Sequence, residues 1–180
     1  MKFEKNSEVD VFLKAVSLKD LIALQKISRD TFFETFALVN SPENMKKYLE
    51  ENLSEEKLIE ELSNPASTFY FALDQEKIIG YLKVNVAGAQ TDLNDSNALE
   101  IERIYVSKEY HGKNIGQMLY EKAISIAKEI NATYVWLGVW EENPRAISFY
   151  KKNGFVEFDK HIFILGDDKQ TDIMMKLMLI

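Results

Sequence analysis

The stretch LEIERIYVSKEYHGKNIGQMLYEKAISIAKEI (residues 99–130), followed by TYVWLGVW (133–140), decides the fold. Its first part alternates as a β-strand does, and its second part, from Ile115, repeats apolar residues at helical spacing. The apolar run after the helix indicates a buried strand. A strand, a helix and a strand in this order predict a parallel crossover, because parallel neighbours need a long connection. The middle of the chain is therefore predicted to be an α/β unit.

The segments on either side of this unit predict helices and antiparallel hairpins. VFLKAV (11–16) has the pattern of a strand, and three serines stand where helix caps are expected, namely Ser17, Ser41 and Ser54. The other strands are expected in two pairs, STFYFALD (67–74) with KIIGYLKVNV (77–86) and FVEFDKHIFILG (155–166) with TDIMMKLML (171–179). A short helix closed by Gly154 is expected before the second pair, and residues 87–97 are expected to be a polar connection.

Length and composition predict one domain covering residues 1–180. The chain has no cysteine and two histidines, His111 and His161, so thiolate metal sites and disulfides are excluded and a zinc site is disfavoured. No apolar run is long enough to span a bilayer, and MKFEKNSEVD (1–10) lacks the apolar core of a signal peptide. We expect a soluble cytoplasmic protein without a metal or membrane contact, in which His161 is structural.

The chain is acidic, with a formal net charge of −7. Residues 42–62 contain seven glutamates, and six of them form an acidic run at Glu50, Glu51, Glu55, Glu56, Glu60 and Glu61. Because binding to a phosphate backbone depends on clustered Lys and Arg, direct nucleic-acid binding is disfavoured. The acidic run is either a solvated helix face, which is the more ordinary interpretation, or a field that attracts a cationic ligand.

The loop EYHGKNIGQML (109–119) joins the strand to the helix. The first backbone N–H groups of a helix have no internal partners and, with the helix dipole, form an anion site. Gly112 and Gly116 permit a close backbone approach, Lys113 adds positive charge, and Asn114 tolerates left-handed dihedral angles. On this spacing alone, a phosphate cradle and a plain turn are equally good interpretations.

Further motifs give the chain a resemblance to a known family. HGKNIG (111–116) aligns with a signature of Gln or Arg, two residues, Gly, one residue, and Gly or Ala, from which His111 and Asn114 depart. EENPRAISFYKKNGF (141–155) is similar to the same family's short helix that ends in Phe-Tyr before a Gly-Phe turn. The chain thus resembles the GCN5-related N-acetyltransferase (GNAT) family. Nearly its whole length is similar to PaiA-type polyamine acetyltransferases, through residues 41–65, 99–106, 136–155 and 166–176.

The resemblance implies an α/β (α+β) fold with a mixed, mostly antiparallel sheet of six to seven strands. Helices are expected on both faces, with strands splayed at a central acetyl-CoA site. The residues it implies for coenzyme binding lie on the strand, in the loop and on the short helix: Ile104, Tyr105, Val106, His111, Gly112, Lys113, Asn114, Ile115, Gly116, Gln117, Asn143 and Lys152. For Asn143, a simple N-cap before Pro144 is a strong alternative that is compatible with this role.

Glu102 is the candidate general base. Strict alternation would place Glu100, Glu102, Ile104 and Val106 on one face of the strand. In such a setting the pKa of Glu102 would rise from its ordinary value of about 4.3, which suits a base that acts through water on an ammonium substrate. The alternatives are a solvent-facing Glu, or one paired with Arg103 across a bulge. The resemblance favours the base, with Glu100 in reserve and also expected to bind substrate.

Tyr150 is the candidate general acid, because a phenol with a pKa of about 10 stays protonated at neutral pH. Its helical spacing from Ala146 and Ile147 favours a place in the core, whereas the resemblance matches it to the family's acid. Trp136 and Trp140 share a strand at even spacing. Trp136 is expected to pack in the core and Trp140 to line the acceptor channel.

The resemblance implies an acetyl-CoA-dependent N-acetyltransferase whose acceptor is a small cationic amine, first of all spermidine or spermine, and the excess of acids is compatible with such an acceptor. Acetylation of a protein N-terminus or lysine is the rival within the same class. A non-catalytic regulator that senses coenzyme or polyamine is the rival from another class. The protein is expected to be a monomer or a homodimer.

Overall fold

A computed structural model describes residues 10–179. Residues 1–9, in which the sequence predicts no signal peptide, lie outside the described part, as does Ile180. The elements follow in the order β1 (Val11–Ala15), α1 (Leu21–Phe36), α2 (Pro42–Asn52), α3 (Glu55–Ser63), β2 (Ser67–Asp74), β3 (Lys77–Val86), β4 (Ala98–Val106), α4 (Ile115–Glu129), β5 (Tyr134–Trp140), α5 (Pro144–Lys152), β6 (Val156–Leu165) and β7 (Asp168–Met178).

All seven strands belong to one sheet in the order β1-β2-β3-β4-β5-β7-β6. Every neighbouring pair is antiparallel except β4 and β5, which are joined by α4 and run parallel. The predicted mixed sheet, crossover and terminal hairpins are therefore confirmed. The last strand begins at Asp168, three residues before the predicted start at position 171, because a tight turn at Gly166 and Asp167 already pairs Leu165 with Asp168.

The serines that were expected to begin helices are all at helix starts. The Ser41 hydroxyl accepts from the Asn44 N–H, and that of Ser54 accepts from the Lys57 N–H, each at 3.1 Å. Ser17 instead precedes a short 3₁₀ turn, Leu18–Asp20, before α1 begins. None of the helices within residues 10–179 has the length and apolar character that crossing a lipid bilayer requires.

Helices cover both faces of the sheet. One core lies under α4 and α5 and includes Leu82, Ile101 and Leu119, with Ile104 and Val106 packed against it. The other core lies under α1, α2 and α3 and includes Leu24, Met45, Leu58 and Tyr81, with Tyr105 packed against it. The sheet is therefore buried between two helical layers.

A β-bulge in β4 corrects the predicted faces of this strand. Lys83 of β3 pairs with Arg103, whereas the next residue, Val84, pairs with Ile101, so Glu102 is the extra residue. The bulge reverses the alternation, and Glu102 lies on the same face as Arg103, under α1–α3. The prediction that Glu102 shares a face with Ile104 and Val106 is wrong for this reason.

Strands β4 and β5 separate soon after they meet. They pair only from Ala98 with Tyr134 to Glu100 with Trp136. Beyond this point β4 continues along β3 to Val106, while β5 continues along β7 to Trp140. The gap exposes the inner backbone edges of both strands, and it confirms the expected splay at the centre of the sheet.

Candidate active site

A cavity of about 580 Å³ opens at the gap between β4 and β5, on the side of α4 and α5. Its walls are the end of β4, the loop before α4, the first turn of α4 and one side of α5. Four basic side chains line it, Lys108, His111, Arg145 and Lys152. Two acidic side chains, Glu34 and Glu142, line it as well, so the wall is of mixed charge with more basic than acidic groups, and it reaches the N-terminus of α4.

The loop before α4 presents free backbone donors to this cavity. Asn114 is left-handed, with φ 62° and ψ 11°, and its side chain makes no capping hydrogen bond. The first backbone donor that the helix itself satisfies is the N–H of Met118, which bonds the Asn114 carbonyl at 3.1 Å. A Cβ added at Gly112 or Gly116 would meet no other part of the chain within 4 Å. The first turn therefore has both the free donors and the open space that a phosphate group requires.

Asn114 thus adopts the conformation that a glycine would otherwise supply at this signature position. Asparagine is the residue that most often tolerates it apart from glycine. The shape of the cradle is kept despite the departure from the family pattern.

His111, the other departure, is fixed from two sides. Its Nε2 lies 2.8 Å from the Val106 carbonyl at the end of β4, and its Nδ1 contacts Arg145 on α5. Since arginine only donates, Nδ1 accepts and Nε2 carries the hydrogen that it donates to Val106. The imidazole therefore connects the loop to both walls of the cavity, and it occupies the Val106 carbonyl.

All but one of the predicted coenzyme residues line this cavity. Those of the strand, the loop and the short helix meet there, namely Ile104, Tyr105, Val106, His111, Gly112, Asn114, Ile115, Gly116, Gln117, Asn143 and Lys152. The exception is Lys113, whose ammonium lies over the Tyr110 ring, 4.7 Å from its centroid. Asn143 caps α5 through an acceptor contact of 3.1 Å to the Ala146 N–H, so its amide NH₂ stays available to a ligand.

Tyr150 borders the first cavity and also belongs to the core under α4 and α5. Its ring packs edge-on against Phe149 and Phe155. Burial raises the pKa of Tyr150 well above its ordinary value of 10. The phenol is therefore protonated throughout the physiological range. Its place in the core is observed, and its role as general acid stays a prediction.

A second cavity, of about 260 Å³, lies on the opposite face, under α1 and α2. Aromatic rings form much of its wall, including Phe32, Tyr48, Tyr81 and Phe163. Four carboxylates also line it, Asp92, Glu100, Glu102 and Asp172, against two basic side chains, Arg103 and His161. Aromatic faces and carboxylates together suit a small organic cation.

The two cavities meet at Tyr105 and Trp140, which line both. Tyr105 stands on β4 and Trp140 on β5, on either side of the gap. A ligand in the first cavity and a ligand in the second therefore approach each other through the splayed strands. The role of Trp140 in an acceptor channel stays a prediction. Trp136 is buried and donates from Nε1 to Gln90 Oε1 at 2.7 Å.

Glu102 is held by two cations. Its carboxylate lies 2.5 Å from Lys83 Nζ and 3.1 Å from Arg103 Nη2, and it accepts from Asn85 Nδ2 at 2.6 Å. Burial opposes ionisation, but the two cations and the hydrogen bonds outweigh it and lower the pKa of Glu102 below its ordinary value. The predicted rise in this pKa is therefore wrong, and the alternative of a pair with Arg103 at a bulge describes the structure.

Glu100 has the environment that was expected for Glu102. It is 3 % exposed and accepts from Asn85 Nδ2 at 3.0 Å and from the Thr91 N–H at 2.9 Å. Burial raises the pKa of Glu100, in spite of these hydrogen bonds. Within residues 10–179 no Lys or Arg lies within ion-pair distance of it.

Several wall residues were missed by the sequence analysis. The polar connection 87–97 folds over the second cavity, where Thr91 bonds Glu100 and Asp92 lies 3.0 Å from His161. His161, which was expected to be structural, therefore borders the cavity. On the coenzyme side, Arg145 and Tyr110 were not singled out. A loop and the far end of a hairpin carry no local signal that they meet, since only the tertiary fold brings them together.

The acidic run of α2 and α3 is mostly a solvated surface. Five of its six glutamates are exposed, and only Glu61 is buried, where it pairs with Lys83 and Arg103 at 3.1 and 2.8 Å. None of the six lines either cavity. Within residues 10–179 there is also no group of three or more His, Asp or Glu side chains arranged to hold a metal ion.

Comparisons with known proteins agree with this arrangement. Residues 23–155 match the model of the Acetyltransferase (GNAT) family. An uncharacterised N-acetyltransferase of Lactobacillus delbrueckii subsp. lactis is 45% identical over 165 residues, which cover 92% of this chain and 95% of that protein. The spermidine N(1)-acetyltransferase of Thermoplasma acidophilum is 29% identical over 151 residues, covering 82% and 89% of the two chains.

A solved structure extends the likeness to three dimensions. The PaiA N-acetyltransferase of Thermoplasma acidophilum, crystallised in complex with coenzyme A, superposes with a TM-score of 0.77 at 27% identity. The match covers 94% of this chain and 99% of that one.

Proposed function

The chain belongs to the GNAT acetyltransferase family, and we propose that within this family its acceptor is a small cationic amine, most specifically a polyamine such as spermidine or spermine. The protein is an N-acetyltransferase that uses acetyl-CoA as its cosubstrate. Acetyl-CoA supplies an acetyl group activated as a thioester.

The single observation that carries the proposal is the second cavity. The gap between β4 and β5 borders it, and a coenzyme held in the first cavity would end at this gap. The wall of the second cavity combines aromatic rings with four carboxylates. A polyamine has ammonium groups for the carboxylates and methylene chains for the rings. The spermidine acetyltransferase among the relatives supports the same substrate class.

The coenzyme residues divide by the part of the ligand that they suit. The free N–H groups of the first turn of α4 suit the pyrophosphate, with Lys108 and Arg145 as additional positive charges. The free backbone edge of β4 at Ile104 suits the amides of the pantetheine arm, as a β-ladder partner would. Asn143 and Lys152 lie on the opposite wall. Donors, charges and space are all present for this cosubstrate.

We assign the general acid to Tyr150. When the amine nitrogen bonds to the acetyl carbon, the carbon–sulfur bond breaks and the sulfur needs a proton. Tyr150 stays protonated because burial raises its pKa, and it lines the first cavity at the end of α5.

We assign the removal of the amine proton to Glu102, acting through water. Two cations keep its carboxylate ionised, so it can pass a proton from the ammonium to solvent but cannot hold it. Glu100 is the reserve base, because its raised pKa suits a carboxylate that retains the proton for longer. Both line the acceptor cavity, on the strand that borders the gap.

The proposal is tested by the release of free CoA from acetyl-CoA with a panel of acceptors: spermidine, spermine, a monoamine, a lysine peptide and a peptide with a free N-terminus. Release with the polyamines, at a kcat/KM at least about tenfold above the peptides, is the expected result. Release mainly with the peptides would make the chain a protein acetyltransferase. Coenzyme binding without release on any acceptor would favour a coenzyme- or polyamine-sensing regulator.

A further inference from the structure

The four carboxylates of the acceptor cavity differ in their partners. Glu102 is neutralised by Lys83 and Arg103, and Glu100 accepts hydrogen bonds from Asn85 and Thr91. Asp92 lies 3.0 Å from His161 Nδ1. Each of these three therefore already has a protein partner in the cavity wall.

Asp172 is the exception. Its carboxylate makes no hydrogen bond or ion pair with any residue between positions 10 and 179, although it lines the cavity. Burial raises its pKa to about 6, so the group is still ionised at neutral pH. His161 stands opposite Asp172 on β6 and acts to lower this pKa, but its Nδ1 lies 3.0 Å from Asp92. A partly buried charge without an ion pair is costly, and a cation that binds beside it recovers that cost.

The absence of a side chain at Gly138 leaves the space that the Asp172 carboxylate occupies. A Cβ built on Gly138 would lie 3.3 Å from Asp172 Oδ2, so the carboxylate leans over the glycine rather than away from the cavity. Gly138 stands between Trp136 and Trp140 on β5, and all three line the cavity. The missing side chain therefore opens a path along the cavity floor between the gap and Asp172.

The place of Asp172 in the sheet separates it from the reacting atoms. It stands on β7, opposite Trp140, and β5 lies between β7 and the gap. Adjacent strands are about 4.8 Å apart, so a nitrogen held by Asp172 is displaced sideways by roughly one strand from a nitrogen at the gap. A short methylene chain spans such a distance.

The reaction requires different charge states of the two nitrogen atoms of a diamine. The nitrogen that is acetylated must lose its proton before it can attack, so a permanent carboxylate partner would hinder it. A nitrogen that stays protonated throughout has the opposite need. A carboxylate without an ion pair, to one side of the gap, therefore suits a nitrogen that stays protonated throughout the reaction.

We propose that Asp172 binds a second ammonium group of the acceptor, one that is not acetylated, and thereby selects diamines and polyamines over monoamines. This assignment rests on the proposed function and makes Asp172 a specificity-determining residue of the acceptor cavity. It requires no change in the coenzyme site, since Asp172 does not line the first cavity.

The test compares Asp172→Asn with the wild type on three amines: spermidine, putrescine and n-pentylamine. The last replaces one ammonium of putrescine with a methyl group. We expect Asp172→Asn to lower kcat/KM for spermidine and putrescine about tenfold, mainly through KM, because one charge-assisted contact is lost. For n-pentylamine kcat/KM should stay within about twofold, so that the selectivity ratio falls.

Two further variants serve as controls for the chemical change and for the loss of charge. Asp168→Asn makes the same chemical change on an exposed position of the same strand and should leave all three amines unaffected. Asp172→Glu keeps the charge and should retain part of the preference for diamines. The affinity for CoA, measured by calorimetry, and the melting temperature report whether each variant keeps its fold.

The outcomes separate this assignment from the proposed function. If the wild type acetylates amines but Asp172→Asn lowers kcat/KM equally for n-pentylamine and putrescine, or for neither, the assignment to Asp172 is wrong and the proposed function stands. If the wild type acetylates none of the three amines, the proposed function is wrong and the assignment is lost with it.

Discussion

Arg103 Nη2 lies 3.1 Å from Oε1 of Glu102, although the two residues are consecutive in one strand. Neighbours in a regular strand point to opposite faces, and the bulge at Glu102 is what brings these two together. The pair, with Lys83 and Glu61, forms a buried network of two acids and two bases. This network decides how the proposed base behaves with pH.

Glu102→Gln should lower kcat by about a hundredfold, the smaller end of what a general base contributes, and should leave CoA affinity unchanged. The pKa of Glu102 is lowered, so its carboxylate is ionised throughout the range from pH 6 to 9. The reduction in kcat caused by Glu102→Gln should therefore be the same across this range. Steady-state rates across this range, with Glu60→Gln as an exposed control, provide the check. A loss confined to low pH would contradict the ionised state described here.

The same substitution should reduce stability. A carboxyl with a lowered pKa stabilises the fold above its unfolded-state pKa, and this contribution disappears as pH falls through the folded-state value. Replacing it leaves Lys83 and Arg103 short of one partner, at a cost of about 2 kcal/mol. Urea unfolding of the wild type and Glu102→Gln at pH 7 measures the difference, which Glu60→Gln should not reproduce.

Tyr150→Phe should lower kcat by at least about a hundredfold while changing the Kd of CoA less than twofold. Because burial raises the pKa of Tyr150 far above 10, wild-type activity should show no alkaline limb from this group below pH 10. Tyr120→Phe is the matched control, since Tyr120 is also buried in the same core. An unchanged kcat in Tyr150→Phe would remove the phenol from the mechanism.

Asn114 and Asn131 form a matched pair for the phosphate cradle. Both are left-handed, with φ 62° and 56°, but Asn131 lies after α4 and away from both cavities. Alanine at either position should cost about 1 kcal/mol of stability, because alanine disfavours this conformation. Only Asn114→Ala should also weaken CoA binding, by about tenfold, and Asn114→Gly should restore it. Equal CoA affinity in the two alanine variants would show that the cradle does not bind the coenzyme.

The Michaelis constant for spermidine should rise as pH falls through about 6 in the wild type, and this rise should be absent in Asp172→Asn. Burial raises the pKa of Asp172 to about 6, so below that pH the carboxyl is neutral and binds a cation poorly. Asp92, His161, Glu100 and Glu102 share the cavity, and His161→Gln is measured in parallel.

The contribution of Asp172 to the stability of the fold should change with pH in the opposite direction from that of Glu102. A carboxyl whose pKa is raised on folding favours the fold below its unfolded-state pKa of 3.8, and this advantage is lost as pH rises towards 6. Asp172→Asn should therefore gain stability relative to the wild type at pH 8 and not at pH 4. Thermal unfolding at the two pH values tests this.

Local signals were sufficient to predict much of the fold. Some features can be recognised from one or two neighbouring elements of the sequence. They are the change to helical periodicity at Ile115, the serine caps at Ser41 and Ser54, and the crossover between β4 and β5. The same is true of the loop before α4, in which Asn114 adopts the left-handed conformation that asparagine tolerates.

The parts that the sequence did not predict depend on register and on distant contacts. A bulge shifts the alternation of β4 by one residue without a local mark, so the face and the pKa of Glu102 were predicted wrongly. The acceptor cavity needs Asp92 from a connecting loop, and His161 and Asp172 from the last hairpin. Nothing in the spacing of these residues indicates that they share a wall.

Mass spectrometry of spermidine after incubation with the protein and acetyl-CoA shows whether this polyamine is acetylated. We expect a product that carries one acetyl group, formed in step with free CoA and at least about a hundredfold more slowly with Tyr150→Phe. Unmodified spermidine in the presence of a protein that binds CoA, or acetylation of a peptide in preference to spermidine, would contradict it.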